Sequence, residues 1–83
     1  MPKITIYTSS FCPYCIQAKR LLTKKNIPFN EISIAKDPDK RAEMIQKSQR
    51  TTVPQIFNGD NHIGDCMEIY GLESNGKLDE LLA

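Results

Sequence analysis

Apolar and polar positions set the elements of this chain by changing period along it. Lys3-Ile4-Thr5-Ile6-Tyr7-Thr8 is rich in β-branched and aromatic residues and predicts a strand. Ser9-Ser10-Phe11 is a short loop. From Pro13 the period becomes helical. Ile16, Ala18, Leu21 and Leu22 form the expected inward face, and Lys19, Arg20, Lys24 and Lys25 the wetter side. Asn26-Ile27-Pro28 ends that helix, because proline cannot continue it. Phe29 to Ile34 alternates and predicts a second strand. Asp37-Pro38 supplies an N-cap and a first-turn proline for a helix reaching about Gln49, with Ala42, Met44 and Ile45 inward. Val53 to Phe57 predicts a third strand, Asn58-Gly59-Asp60-Asn61 a turn, and His62-Ile63 a short fourth strand. A last helical stretch runs from Cys66 to Leu82, broken near Asn75-Gly76.

The order is β-α-β-α-β-β-α. A strand-helix-strand start implies a right-handed crossover and parallel pairing. The Asn-Gly turn implies an antiparallel hairpin. Together they predict an α/β fold: a mixed four-stranded sheet covered by helices. At 83 residues, with neither repeat nor linker, the chain is expected to form one domain over residues 1–83. A net charge of +1 argues against nucleic-acid binding, which needs a strongly basic face. No apolar run approaches the roughly 18 residues of a membrane span. Met1-Pro2-Lys3 starts without an apolar leader, so a cytoplasmic protein with no membrane association is expected. The basic residues of the first helix read as a solvated face complementing the helix C-terminus. The alternative is a docking patch for an acidic partner.

Cys12, Cys15 and Cys66 are the cysteines, and two of them lie in Cys12-Pro13-Tyr14-Cys15. An odd count does not make a disulfide framework. A structural zinc site needs four ligands at paired spacings, and His62 with Cys66 is not a familiar second pair, so no metal is expected. The cysteine pair falls where the first strand hands over to the first helix, the strand end that ligands favour in open α/β sheets. A free thiol is only about 3% ionised at pH 7, yet the thiolate is the nucleophile. Main-chain N–H groups and the helix dipole at a helix start favour negative charge on Cys12. Two intervening residues return Cys15 beneath Cys12 on one turn, in a more buried place. That asymmetry predicts that Cys12 attacks and Cys15 resolves. Asp65-Cys66-Met67-Glu68 has the spacing of a capping box, with Asp65 as the cap. His62 reads as a hairpin residue, and Cys66 as a small apolar side chain near a helix start.

These residues resemble the glutaredoxins, specifically the small bacterial dithiol forms. The tetrad Cys12-Pro13-Tyr14-Cys15 is similar to that family's active-site motif. Arg50-Thr51-Thr52-Val53-Pro54-Gln55-Ile56-Phe57 resembles its Thr-Val-Pro segment, and His62-Ile63-Gly64-Asp65-Cys66 its Gly-Gly segment. The resemblance implies a thioredoxin-like fold. It implies a glutathione-dependent thiol-disulfide oxidoreductase that reduces disulfide-containing and glutathionylated proteins. Glutathione is then the reductant, with no permanently bound cofactor, and a monomer is expected. It further implies that Pro54 is cis and that Val53 pairs with glutathione by strand addition. Tyr14 and Thr52 would flank the tripeptide, and Arg41 would meet its glycine carboxylate. Gly64, Asp65, Cys66 and Met67 would receive the γ-glutamyl end. The chain departs from the family at Ser9, where a lysine is common, at Asp65 in place of a second glycine, and at Met67-Glu68 in place of an acidic pair. Two alternatives share the motif: a glutaredoxin-like donor reduced by a thioredoxin reductase, and a dimer holding an iron-sulfur cluster. In the family the latter goes with a residue less rigid than Pro13.

Overall fold

The computed structural model describes residues 3–83. Met1 and Pro2, and with them the expectation drawn from the start of the chain, lie outside the described residues. The elements in order are β1 (Ile4–Thr8), α1 (Pro13–Lys24), β2 (Asn30–Ser33), α2 (Pro38–Ser48), β3 (Gln55–Asn58), β4 (Asn61–Gly64), α3 (Cys66–Ser74) and α4 (Leu78–Leu82). The sheet order is β2-β1-β3-β4. β1 runs parallel to β2 and antiparallel to β3, and β3 and β4 form the antiparallel hairpin. This is the mixed four-stranded sheet expected from the element order.

β1 is central, so both of its faces are covered. Ile4 and Ile6 join Ala18, Leu21, Leu22, Ile56, Ile69 and Leu78 in one core. Tyr7 joins Ile34, Met44 and Phe57 in a second. The period of two divides β1 between the cores. The Tyr7 hydroxyl also donates to Glu43 Oε2 at 2.5 Å and so ties α2 to the sheet.

Local chemistry sets the helix ends. Asn26 takes the left-handed conformation at φ 58°, while Ile27 N donates to Leu22 O and Asn26 N to Thr23 O. That pair of bonds is the Schellman arrangement, and Pro28 follows it. Asp37 caps α2 by accepting from Lys40 N at 3.1 Å, with Pro38 in the first turn. The break expected near Asn75-Gly76 separates α3 from α4.

Several expectations need correction. Ile16 is half exposed, because Cys15 and Ala18 take the inward positions of α1's first turns. Ala42 is exposed, because α2 rests on the sheet along a narrow stripe of Met44 and Ser48. Lys25 is not on the wet side: its ammonium lies 2.7 Å from Glu73 and 2.8 Å from Asp79, tying α1 to α3 and α4. The third strand begins at Gln55 rather than Val53, since Pro54 has no N–H to add to a ladder. The second strand is shorter than expected at both ends, and the fourth extends to Asn61 and Gly64.

Among the described residues, no helix is long and apolar enough to cross a membrane. The observed face of α1 sets a stability contrast. Leu22→Ala, at a fully buried position, should cost about 3 kcal/mol, against less than about 0.5 kcal/mol for Ile16→Ala. Urea unfolding midpoints measure both, and equal losses would contradict the orientation of α1.

Candidate active site

Thr8 ends β1, and the loop over residues 9–11 carries the chain to α1. Phe11 is left-handed at φ 58°, turning the chain immediately before Cys12. Cys12 is the N-cap of α1, with extended backbone angles and Pro13 at the first helical position. Its sulfur accepts a hydrogen bond from Cys15 N at 3.4 Å. A side-chain oxygen usually does this work. Here a sulfur does it, at the positive end of a helix whose first turn holds no acidic residue.

The two thiols of the tetrad differ in surroundings. Cys12 is partly exposed, whereas Cys15 is only 2% exposed. Burial pushes the Cys15 thiol up to about 12, and its contact with Cys12 adds to the rise. The Ser9 main chain and the Lys19 ammonium pull weakly the other way. Cys66 is buried as well, and burial, then Asp65 and Cys12, hold its thiol above the ordinary range. All three are unpaired thiols.

The second wall comes from the loop before β3. The Val53–Pro54 peptide is cis, and the Val53 carbonyl oxygen lies 4.0 Å from the Cys12 sulfur. Gln55 is fully buried and holds this loop from below: its Nε2 donates to Thr52 O at 3.0 Å and to Thr52 Oγ1 at 3.3 Å. Its Oε1 meets His62 Nε2 at 2.7 Å. Burial, and then the nearby Arg50, keep His62 below the ordinary histidine range. The buried Ser48 hydroxyl accepts from Arg50 N at 3.0 Å and anchors the other end of the loop.

The third wall is the start of α3. Asp65 and Glu68 close a full capping box, with Glu68 N donating to Asp65 Oδ1 and Asp65 N to Glu68 Oε1. Arg50 forks onto both carboxylate oxygens of Glu68 and stands 3.7 Å from Asp65 Oδ2. That contact holds the Glu68 carboxyl below its usual range. Gly64 has φ 144°, and a Cβ there would come within 2.7 Å of Glu68 Cβ, so the folded-back box requires glycine.

These walls enclose a groove of about 260 Å³ lined by Tyr14, Thr52, Val53, Pro54, Asp65, Cys66 and Met67. Cys12 borders it through Val53, and Gly64 lies buried behind it. Arg41 is exposed on α2 and does not line it. Sequence reasoning missed two residues. Arg50 is the cation that holds the acidic end of the groove, and Gln55 positions its Thr52-Val53 wall. Among the described residues, no three His, Cys, Asp or Glu side chains gather as a metal site would require.

The family model described as Glutaredoxin matches residues 4–63. A glutaredoxin of Pseudomonas aeruginosa is 49% identical over 83 residues, covering 100% of this chain and 99% of that protein. The solution structure of glutaredoxin from Brucella melitensis is 51% identical, with a TM-score of 0.86, and covers 99% of this chain and 89% of that one. A buckwheat glutaredoxin crystallised as its glutathione complex is 26% identical, with a TM-score of 0.86 over 98% of this chain and 76% of that one.

The raised thiol of Cys15 carries a pH dependence. Its ordinary value is 9.0 and its value in the fold about 12, so the folded chain holds that proton more tightly than the unfolded one. The stabilisation is complete below pH 9 and is lost as pH rises toward about 12. Tyr7, also raised by burial and by Glu43, adds a loss of the same sign in alkali. The melting temperature should therefore fall above pH 9, and fall less steeply in Cys15→Ala. Identical alkaline slopes in circular-dichroism melts would count against the burial of Cys15.

Proposed function

The chain belongs to the glutaredoxin family, whose members are thiol-disulfide oxidoreductases acting on glutathione mixed disulfides, and on that premise we propose how its site works. The observation that carries the reading is the Cys12 sulfur, set as the cap of α1 and open to solvent, above a buried Cys15. The Cys12 thiolate attacks the glutathione sulfur of a glutathione mixed disulfide. A bond forms between Cys12 and that sulfur, and the other half leaves as a thiolate that takes up a proton. A glutathione thiolate then attacks the mixed disulfide. Cys12 leaves as thiolate and glutathione disulfide is released. In the dithiol route Cys15 gives up its proton and attacks the Cys12 sulfur. This releases the bound half and leaves a Cys12–Cys15 disulfide, which two glutathione molecules reduce. The protein itself ends each cycle unchanged, and glutathione supplies both electrons.

The groove beside Cys12 is the proposed glutathione site, supported by similarity to the buckwheat protein solved with that ligand. The Val53 main chain precedes the β3 ladder and can pair with an extended tripeptide. Tyr14, Thr52 and Pro54 flank it, and Gly64, Asp65, Cys66 and Met67 form its far end. Arg41 would have to reach the glycine carboxylate from α2. In this proposal the chain works as one domain and as a cytoplasmic monomer, on disulfide-containing or glutathionylated proteins, with no resident cofactor.

Cys12→Ser should abolish both activities. Cys15→Ser should keep reduction of glutathione mixed disulfides and lose the dithiol route. Coupled assays on a glutathionylated peptide and on a protein disulfide separate the two, and the opposite pattern would exchange the roles.

Asp65 generates a further expectation. Its carboxylate accepts from the Glu68 N–H at the start of α3 and places negative charge at the end of the groove. A competition worth about 1 kcal/mol weakens an anionic ligand roughly fivefold. Asp65→Gly should thus bind glutathione about fivefold more tightly by calorimetry at low salt. Equal dissociation constants would show that the cap has no such cost.

A further inference from the structure

Cys12 has an opening on each side. One is the groove already described. The other, of about 200 Å³, lies on the Phe11 and Ile16 side and is also walled by Ser9, Lys19 and Glu31. A disulfide brings two substituents to the sulfur under attack. If glutathione lies in the first groove, the second offers the remaining substituent, a polypeptide, a way out past Phe11 and Ile16.

The surface beyond that second opening is unusual in two respects. At its near end are apolar side chains with no cover: Phe11 is 99% exposed and Ile16 50% exposed. Scattered exposed apolar residues are ordinary, but these two sit directly beside the nucleophile. At its far end the surface is basic. α1 contains no Asp or Glu, and it carries Lys19, Arg20 and Lys24, with Lys25 as its C-cap. Lys19 and Lys25 are tied in ion pairs. Among the described residues Arg20 and Lys24 take part in none, and both are exposed.

Residues 16, 20 and 24 repeat every four positions and so share one helix face. That face lies opposite the buried Ala18, Leu21 and Leu22. At 1.5 Å per residue it extends about 12 Å from Ile16 to Lys24. The helix dipole does not account for this pattern. It favours cations in the last turn only, where Lys24 stands, and Arg20 lies a full turn earlier.

We infer that the outward face of α1, from Phe11 and Ile16 to Arg20 and Lys24, docks an acidic protein partner. The reactive cysteine of that partner has an apolar neighbour, and its acidic side chains lie about 12 Å away. The proposal rests on the reading of Cys12 given above and names the class of substrate that reading leaves open. A second copy packed through this same face fits poorly, because it would set Arg20 and Lys24 against like charges.

The test uses two synthetic peptides, each with one cysteine disulfide-linked to glutathione and preceded by leucine. One carries aspartates and the other lysines at the far end. The mixed disulfide of glutathione and 2-mercaptoethanol is the small reference substrate. The wild-type protein should reduce the acidic peptide with about tenfold higher kcat/KM at low salt. That advantage should shrink as salt shortens the screening length to about 8 Å. Arg20→Gln with Lys24→Gln should remove the advantage, and Arg20→Glu with Lys24→Glu should reverse it, both without changing the rate on the small reference substrate. Ile16→Ser should raise KM for both peptides alike. Equal wild-type rates on the two peptides, or a preference that survives charge reversal, would overturn the docking surface and leave the reading of Cys12 standing. Loss of wild-type activity on the small disulfide itself would overturn both. A low-salt dimer in sedimentation that Arg20→Glu with Lys24→Glu dissociates would assign the face to a second copy instead.

Discussion

A sulfur caps α1. Cys12 Sγ receives the Cys15 N–H in the position that Ser, Thr or Asp usually fills, so the group that satisfies the helix start is also the sulfur at the rim of the site. The surrounding structure serves that arrangement. β1 is buried on both faces and brings the chain to a fixed point. Phe11, in the left-handed region, turns it, and Pro13 begins the helix with no N–H to satisfy. An oxygen cap at residue 12 would hold α1 equally well and would leave no nucleophile. A residue without a capping side chain would leave N–H groups exposed at the mouth of the site.

The facing wall depends on buried polar groups rather than on apolar packing. Gln55 is fully buried in a strand whose next two residues are Ile56 and Phe57. All of its side-chain polar atoms find partners, in Thr52 and His62. A buried amide left unpaired would cost about 1–3 kcal/mol, so the loop conformation that satisfies it is strongly selected. Ser48 fixes the other end of the same loop. Arg50, emerging from it, reaches across to the capping box of α3. The loop over residues 50–54 is therefore held at both ends by hydrogen bonds, while the Val53 main chain stays outside the ladder.

Much of this was legible in the sequence wherever the signal was local. The strand of β1, the caps at Asp37 and Asp65, the Asn-Gly hairpin and the break before α4 each depend on residues within one turn of each other. So does the capping position of Cys12. Facing directions were less legible. Ile16 fits the helical period, yet Cys15 and Ala18 take the inward positions of the first turns of α1 and leave Ile16 half exposed. Lys25 reads as a surface lysine until Glu73 and Asp79, some fifty residues later, fold back onto it. Gln55 and Arg50 escaped notice for the same reason, since their partners are set by tertiary approach and not by spacing. A glutamine inside an apolar strand was the one available signal, and it pointed to a buried polar group in need of partners.

The division of labour between the two cysteines then follows from burial. Both share one helical turn and the same end of the helix dipole, so the dipole alone does not separate them. Cys15 is enclosed beneath the loop of residues 9–11 and pays desolvation on losing its proton, which holds its thiol near 12. Cys12 stands at the rim, where water and substrate reach the sulfur. A low-lying thiol that attacks first would make a mixed disulfide with no space for its partner. A rim thiol that attacks first leaves the buried one within a turn, protonated and protected from unrelated electrophiles. It becomes reactive when the disulfide above it offers a leaving group. The order of events is thus built into depth, and depth is set by where the first turn of α1 meets the end of β1.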